Sequence, residues 1–169
     1  MTLLWAAVAL MAAFLLLEFI ISTRHERRLR ARGAIEPPGD VWRIMSTAYP
    51  AAFIAMAVES WMRGGPSQGW FAAGLGIWTL AKLLKGWAIV SLGERWSFRV
   101  LVLPGEPLVT RGPYRHLRHP NYVAVAGELL GAAVMLAAPY MGVVFTALFI
   151  EIMRRRVQVE ERALGLRGM

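Results

Sequence analysis

The chain contains no cysteine. That absence excludes a disulfide scaffold, Cys-ligated zinc or iron–sulfur centres, and thiol catalysis. Charge is scarce as well: Asp, Glu, Lys and Arg make up 18% of the residues, against roughly 25% in an ordinary soluble domain. The charge present is one-sided, with 19 Lys and Arg against 11 Asp and Glu, a formal net of +8. No G-x-G-x-x-G fingerprint occurs, so a Rossmann-type domain is not expected. No internal repeat or low-complexity segment is visible. What is abundant is apolar surface, at 57% hydrophobic residues and a mean hydropathy of +0.47. Disorder requires the opposite composition. The chain reads as a small integral membrane protein in one domain, and its basic residues as topology signals rather than a nucleic-acid surface.

Thr2–Ile21 is apolar apart from Glu18, long enough to cross a hydrocarbon core as a helix. Its positive charges follow rather than precede it, which argues for a retained helix over a cleaved signal peptide. A basic stretch through Arg24, Arg27, Arg28, Arg30 and Arg32 leads to a break at Pro37-Pro38-Gly39-Asp40. Ile44–Met62 is a second span, with Pro50 inside it. Gly64-Gly65-Pro66-Ser67 is a turn framed by Trp61 and Trp70, interfacial anchors. Trp70–Leu92 is a third span. After a polar segment, 93–121, come Tyr122–Ala138 and Tyr140–Met153, a helical hairpin bent at Ala138-Pro139. Its second helix is expected to run on to Leu164, since only Gly142 weakens it. The fold class is therefore all-α, a bundle of about five transmembrane helices with a C-terminal hairpin. Residues 1–92 form three N-terminal spans and 93–169 the half that carries the chemistry.

With the N-terminus outside, all but three of the 19 Lys and Arg fall in the inside segments 22–43, 93–121 and 154–169. The exceptions are Arg63, Lys82 and Lys85. This is the positive-inside pattern, and it puts a bacterial inner membrane and a cytoplasmic site first among the expectations. Intramembrane charges are functional candidates by default. Glu18, Glu59, Lys85 and Glu151 sit near predicted ends and are expected to snorkel. Glu128 lies two turns into the fourth span, facing a substrate cavity or pairing with Lys82.

Two polar segments share the inside face. The first runs Arg111-Gly-Pro-Tyr-Arg-His-Leu-Arg-His-Pro-Asn-Tyr122, where Gly112-Pro113 and His119-Pro120 fix the backbone around a ligand. Read blandly, it is a basic loop on lipid headgroups. The second is Arg154-Arg-Arg-Val-Gln-Val-Glu-Glu-Arg162. Adjacent Glu160 and Glu161 point about 100° apart on a helix. One can face a site while the other pairs with Arg156 or Arg162, at i, i+4 or nearer. Read blandly, these are surface ion pairs.

Taken together, Leu92-Gly-Glu-Arg-Trp-Ser, Val102-Leu-Pro-Gly-Glu-Pro-Leu-Val-Thr-Arg-Gly-Pro-Tyr, Arg-His-Pro-Asn-Tyr122 and the terminal Arg-x-x-x-Glu-Glu resemble the isoprenylcysteine carboxyl methyltransferase family over roughly residues 90–165. The resemblance implies methyl transfer from S-adenosyl-L-methionine to a lipid-like acceptor at the membrane face, with no metal and no nucleic acid. It implies cofactor binding by Tyr114, Arg118, His119, Pro120, Tyr122, Glu160 and Glu161, with Leu108, Val109 and Gly112 giving backbone and apolar contact. Glu128 and Arg156 are the catalytic candidates. Physically, Arg118 or His119 suits the cofactor's carboxylate, Glu160 or Glu161 its ammonium, and tyrosine rings its sulfonium. His116 and His119 are the available bases, each better suited to a structural or cofactor role. The implied acceptors are prenylcysteine-type carboxylates or long-chain phenols and pyrones, with the tail entering through a lateral opening at the short hairpin. The alternatives are an NAD(P)H-dependent membrane reductase with the Arg-rich loop on the dinucleotide phosphate, and a non-enzymatic membrane protein.

Overall fold

A computed structural model describes residues 1–165. Five α-helices follow in order: α1 (Thr2–Ala31), α2 (Trp42–Met62), α3 (Gln68–Leu92), α4 (Pro120–Met135) and α5 (Pro139–Ala163). Among the described residues the only β-type pairing is an isolated bridge between Ile35 and Val102. The all-α expectation and the helix order hold. Two helices, Thr2–Ala31 and Gln68–Arg95, are long and apolar enough to cross a membrane by length and composition, fewer than the five spans expected. The shortfall is physical. α4 has 16 residues, about 24 Å at 1.5 Å per residue, against a hydrocarbon core of about 30 Å. α5 turns charged beyond Met153.

The first helix is longer than its apolar run. It continues through the basic stretch to Ala31 because Arg, Leu, Glu and Ala are strong helix formers, and it stops where Gly33 takes a φ of 84°. At 30 residues it reaches about 45 Å and carries its last two turns out of the apolar layer. Ser67 caps α3 by accepting from Trp70 N.

The tightest packing joins α3 to α4 through small residues. A Cβ on Gly74 would stand 2.0 Å from the Met135 backbone nitrogen, and one on Gly131 would stand 2.6 Å from that of Trp78. One on Gly127 would meet the Ala81 Cβ at 3.0 Å. Close backbone approach at small residues is how helices associate in lipid, where no hydrophobic drive exists between them. The hairpin bends where expected. Ala137 adopts a φ of 50°, Ala138 N bonds to Ala133 O, and Pro139 opens α5. Gly142 then lets α5 lie against Ala133, whose Cβ a side chain there would meet at 2.4 Å.

Three of the four charges expected to snorkel do not. The Glu59 carboxylate accepts from Tyr140 N and Met141 N at 3.2 and 2.7 Å, satisfying the free amides that begin α5. Glu18 and Lys85 are 4% and 2% exposed. They belong to a buried, charge-balanced cluster in which Lys82 and Lys85 each reach Glu18 at 2.6 Å and Glu128 at 3.0 and 3.3 Å. Tyr49 of α2 donates to Glu128 as well. Only Glu151 is exposed, beside Arg155. The cluster ties α1, α2, α3 and α4 together, and burial is what makes an unpaired charge there costly.

Candidate active site

The segment between α3 and α4 folds back over the polar end of the bundle. Residues 96–100 form a strap across it. Phe98 N donates to the Ser22 hydroxyl at 2.8 Å, Phe98 O accepts from Arg156, and Val100 N donates to Asp40 Oδ2 at 3.0 Å. Trp42 stacks on Phe98 with ring centroids 6.1 Å apart. Charge pairs pin the strap and its flank to the α1 extension and the segment after it: Arg28 to Glu94 at 2.5 Å, and Arg99 to Glu36 at 2.8 Å and Glu26 at 3.4 Å. Burial alone would raise the Glu36 carboxyl, but its hydrogen bonds from Arg30 and Arg99 outweigh this and hold it below its ordinary value.

Two cavities meet under the strap. One, of about 490 Å³, is lined mostly by apolar residues of α1 and α2, among them Leu15, Leu16, Phe19, Met45 and Pro50. The other, of about 100 Å³, is polar and lies between the strap, the start of α4 and the end of α5, with Arg95, Arg99, Tyr114, His119 and Glu160 in its wall. Ser97, Asn121, Tyr122 and Arg156 line both. The apolar cavity lies on the α1–α2 side rather than at the α4–α5 hairpin.

At the junction, Tyr122 donates to Glu160 Oε2 at 2.7 Å and accepts from Arg156 Nε at 2.9 Å. Arg156, 5% exposed, also reaches Asp40 at 3.5 Å. His119 stacks on Tyr122 with centroids 5.5 Å apart and holds both terminal carboxylates, Glu161 at 3.3 Å and Glu160 at 3.7 Å. Burial, and then the Glu160 carboxylate, push the Tyr114 phenol well above its ordinary value. It is a neutral donor at any physiological pH.

Tyr114, His119, Tyr122, Arg156, Glu160 and Glu161 therefore converge, although 38 residues separate Tyr122 from Glu160. Arg156 and Glu160 meet through the Tyr122 hydroxyl, where a direct i, i+4 pair was one expectation. Leu108 and Arg118 are exposed, Pro120 is buried as the first residue of α4, and none of them lines the polar cavity. Val109, Gly112 and Glu161 lie outside it too, Glu161 against His119. Gly112 has a structural reason of its own: at a φ of 60°, it sits where a Cβ would be 2.0 Å from Ser91 Oγ. Of the two settings expected for Glu128, the ion pair with Lys82 is the one found; Glu128 lines neither cavity. Sequence reasoning missed Asp40, Ser97, Phe98 and Arg99. Asp40 looked like part of a chain break, and no local spacing links it to Arg156.

The fold and its paired cavities define a helical, membrane-type protein in which a polar cavity meets an apolar one. The chain belongs to the isoprenylcysteine carboxyl methyltransferase (ICMT) family, whose pattern it matches over residues 74–165. It is similar along nearly its whole length to the protein YpbQ of Bacillus subtilis (strain 168), with 25% identity over 160 residues covering 95% of each chain. Protein-S-isoprenylcysteine O-methyltransferase B of Arabidopsis thaliana is 28% identical over 104 residues, 59% of this chain and 53% of that one. A probable protein-S-isoprenylcysteine O-methyltransferase of Oryza sativa subsp. indica is 29% identical over 96 residues, 54% of this chain and 50% of that one. The match thus covers about half of each named methyltransferase.

Proposed function

We propose that the protein is a membrane-embedded, S-adenosylmethionine-dependent O-methyltransferase acting on an acceptor with a long apolar tail. The observation that carries this reading is the junction of an apolar cavity with a polar one at Ser97, Asn121, Tyr122 and Arg156.

The donor set fits the polar end of the cofactor. Glu160 suits an ammonium, Arg95 and Arg99 a carboxylate, and the rings of Tyr114 and Tyr122 a sulfonium. About 100 Å³ admits the amino-acid end of such a ligand. His119 would position Glu160 and Glu161, and Tyr122 would couple Glu160 to Arg156. When bound, the cofactor supplies an electrophilic methyl carbon; the acceptor oxygen's lone pair forms the C–O bond as the C–S pair returns to sulfur. A carboxylate acceptor brings its own negative charge, so the chain need supply no base. Its task is positioning, which is worth several kcal/mol, up to about 7–11.

In this reading the tail lies between α1 and α2 and enters from the bilayer. The basic segments favour a site on the cytoplasmic side by the positive-inside rule, and in this reading the α4–α5 hairpin inserts from that face. Arg156 acts by fixing Tyr122 and the strap, and Glu128 by holding the bundle. The test is methyl transfer from labelled S-adenosylmethionine to matched acceptors with and without a prenyl or alkyl tail. Tailed acceptors should be methylated at least tenfold more efficiently in kcat/KM. Equal rates would remove the role of the apolar cavity, and NADPH binding in place of cofactor binding would favour the reductase.

A further inference from the structure

Four side chains line both cavities, and three of them are already engaged. Arg156 uses Nε on Tyr122, Nη1 on Asp40 and the Met45 sulfur, and Nη2 on the Phe98 carbonyl. The Tyr122 hydroxyl has given its proton to Glu160. The Ser97 hydroxyl has given its proton to the Arg99 carbonyl at 2.6 Å. Asn121 differs. Its Oδ1 accepts from the Trp96 indole N–H at 3.2 Å. An indole N–H only donates, so the amide oxygen must be the atom turned toward Trp96, and the orientation of the amide is fixed. Its NH₂ group then points away from the indole with two donors and no protein partner among the described residues.

From this we infer that Asn121 is the residue that binds the acceptor's polar head, donating its amide N–H groups to an acceptor oxygen at the mouth of the apolar cavity. The inference rests on the proposed methyltransferase reading and narrows its substrate class. Two N–H donors favour a head that offers lone pairs beside the methylated atom: a carboxylate, or an enol or phenol flanked by a carbonyl. They repel an ammonium, so an amine acceptor is disfavoured. Trp96 serves as the positioning residue, since its indole keeps the amide from flipping.

The experiment is a binding titration in detergent, without cofactor, using N-acetyl-S-farnesylcysteine as the tailed carboxylate and S-farnesylcysteamine as the tailed amine. Asn121→Asp keeps an acceptor for the Trp96 indole and replaces the two donors with negative charge. Asn121→Ala removes both. A hydrogen bond to a charged group is worth about 1.5–3 kcal/mol, which is about a 10- to 150-fold change in Kd. Wild type should prefer the carboxylate. Both variants should lose that factor for the carboxylate, and Asn121→Asp should bind the amine at least as well as wild type does. A cooperative thermal melt with unchanged helical circular dichroism would show that the variants are folded. Wild-type affinity for the carboxylate in both variants, or no preference for it in wild type, would overturn the inference. Should wild type bind the carboxylate but methylate nothing, the methyltransferase reading fails while the titration still decides Asn121.

Discussion

Asp40 and Arg156 pair at 3.5 Å although they stand 116 positions apart in the sequence. Their side chains are 4% and 6% exposed. Asp40 also accepts from Trp42 N and Val100 N, so one carboxylate joins the start of α2, the strap and α5. Removing one partner of a buried pair costs about 3–5 kcal/mol, because the other is left uncompensated. Asp40→Ala should lower the unfolding temperature in detergent clearly more than Asp40→Asn, whose amide oxygen still accepts one backbone N–H. Equal effects would mean that the backbone hydrogen bonds to Asp40 contribute nothing, and a wild-type melt in Asp40→Asn would mean the same of the charge pairing with Arg156.

The buried cluster of Glu18, Lys82, Lys85 and Glu128 is neutral as a whole. Lys85→Met leaves two carboxylates sharing one ammonium and should cost about 3–5 kcal/mol. Adding Glu18→Gln restores neutrality and should recover part of that loss. Thermal melts of the single and double variants check this. A double variant less stable than Lys85→Met would contradict the charge-balance account.

How much of this was open to sequence reading differs from element to element. The helix order, the hairpin at Ala138-Pro139 and the run from Met153 into Ala163 follow from local signals: apolar length, Pro and Gly. The convergence of His119 and Tyr122 with Glu160 and Glu161 was reached through the family pattern. The extension of α1 was not, because a basic stretch after a span looks the same whether coiled or helical. Glu18 and Lys85 were misplaced for a related reason. Hydropathy gives depth along a helix but not which face meets which neighbour, and burial here depends on α1 crossing α3. Asp40, Ser97 and Phe98 owe their place to the strap, a segment without regular periodicity.

Gly131 tests the α3–α4 contact. A side chain there would meet backbone rather than a movable terminus, at 2.6 Å from Trp78 N. Gly131→Val should destabilise by at least the 1–3 kcal/mol, roughly, of ordinary overpacking. Gly76, with open space around it, should accept Ala with no loss. A melt in which the two variants behave alike would argue against the close approach.

Glu36 gives the polar collar a pH dependence. Its carboxyl is held below the ordinary value of 4.5 in the folded chain, so the unfolded chain binds that proton more readily. The stabilisation is fully present above 4.5 and declines as the pH falls through the lower folded value. Glu36→Gln should flatten the stability profile over that acid range, with its cost largest at neutral pH and fading in acid. An unchanged acid slope would mean that Arg30 and Arg99 do not act on it.

The most direct measurement is calorimetric titration of the detergent-purified protein with S-adenosylhomocysteine, with Glu160→Gln and Leu16→Trp alongside. The account predicts binding by wild type and a loss of about tenfold or more in Glu160→Gln, the order of one charge-assisted hydrogen bond. Leu16→Trp fills the apolar cavity only and should bind as wild type does. No binding by folded wild-type protein, or equal binding by Glu160→Gln, would contradict the assignment of the polar cavity to the cofactor.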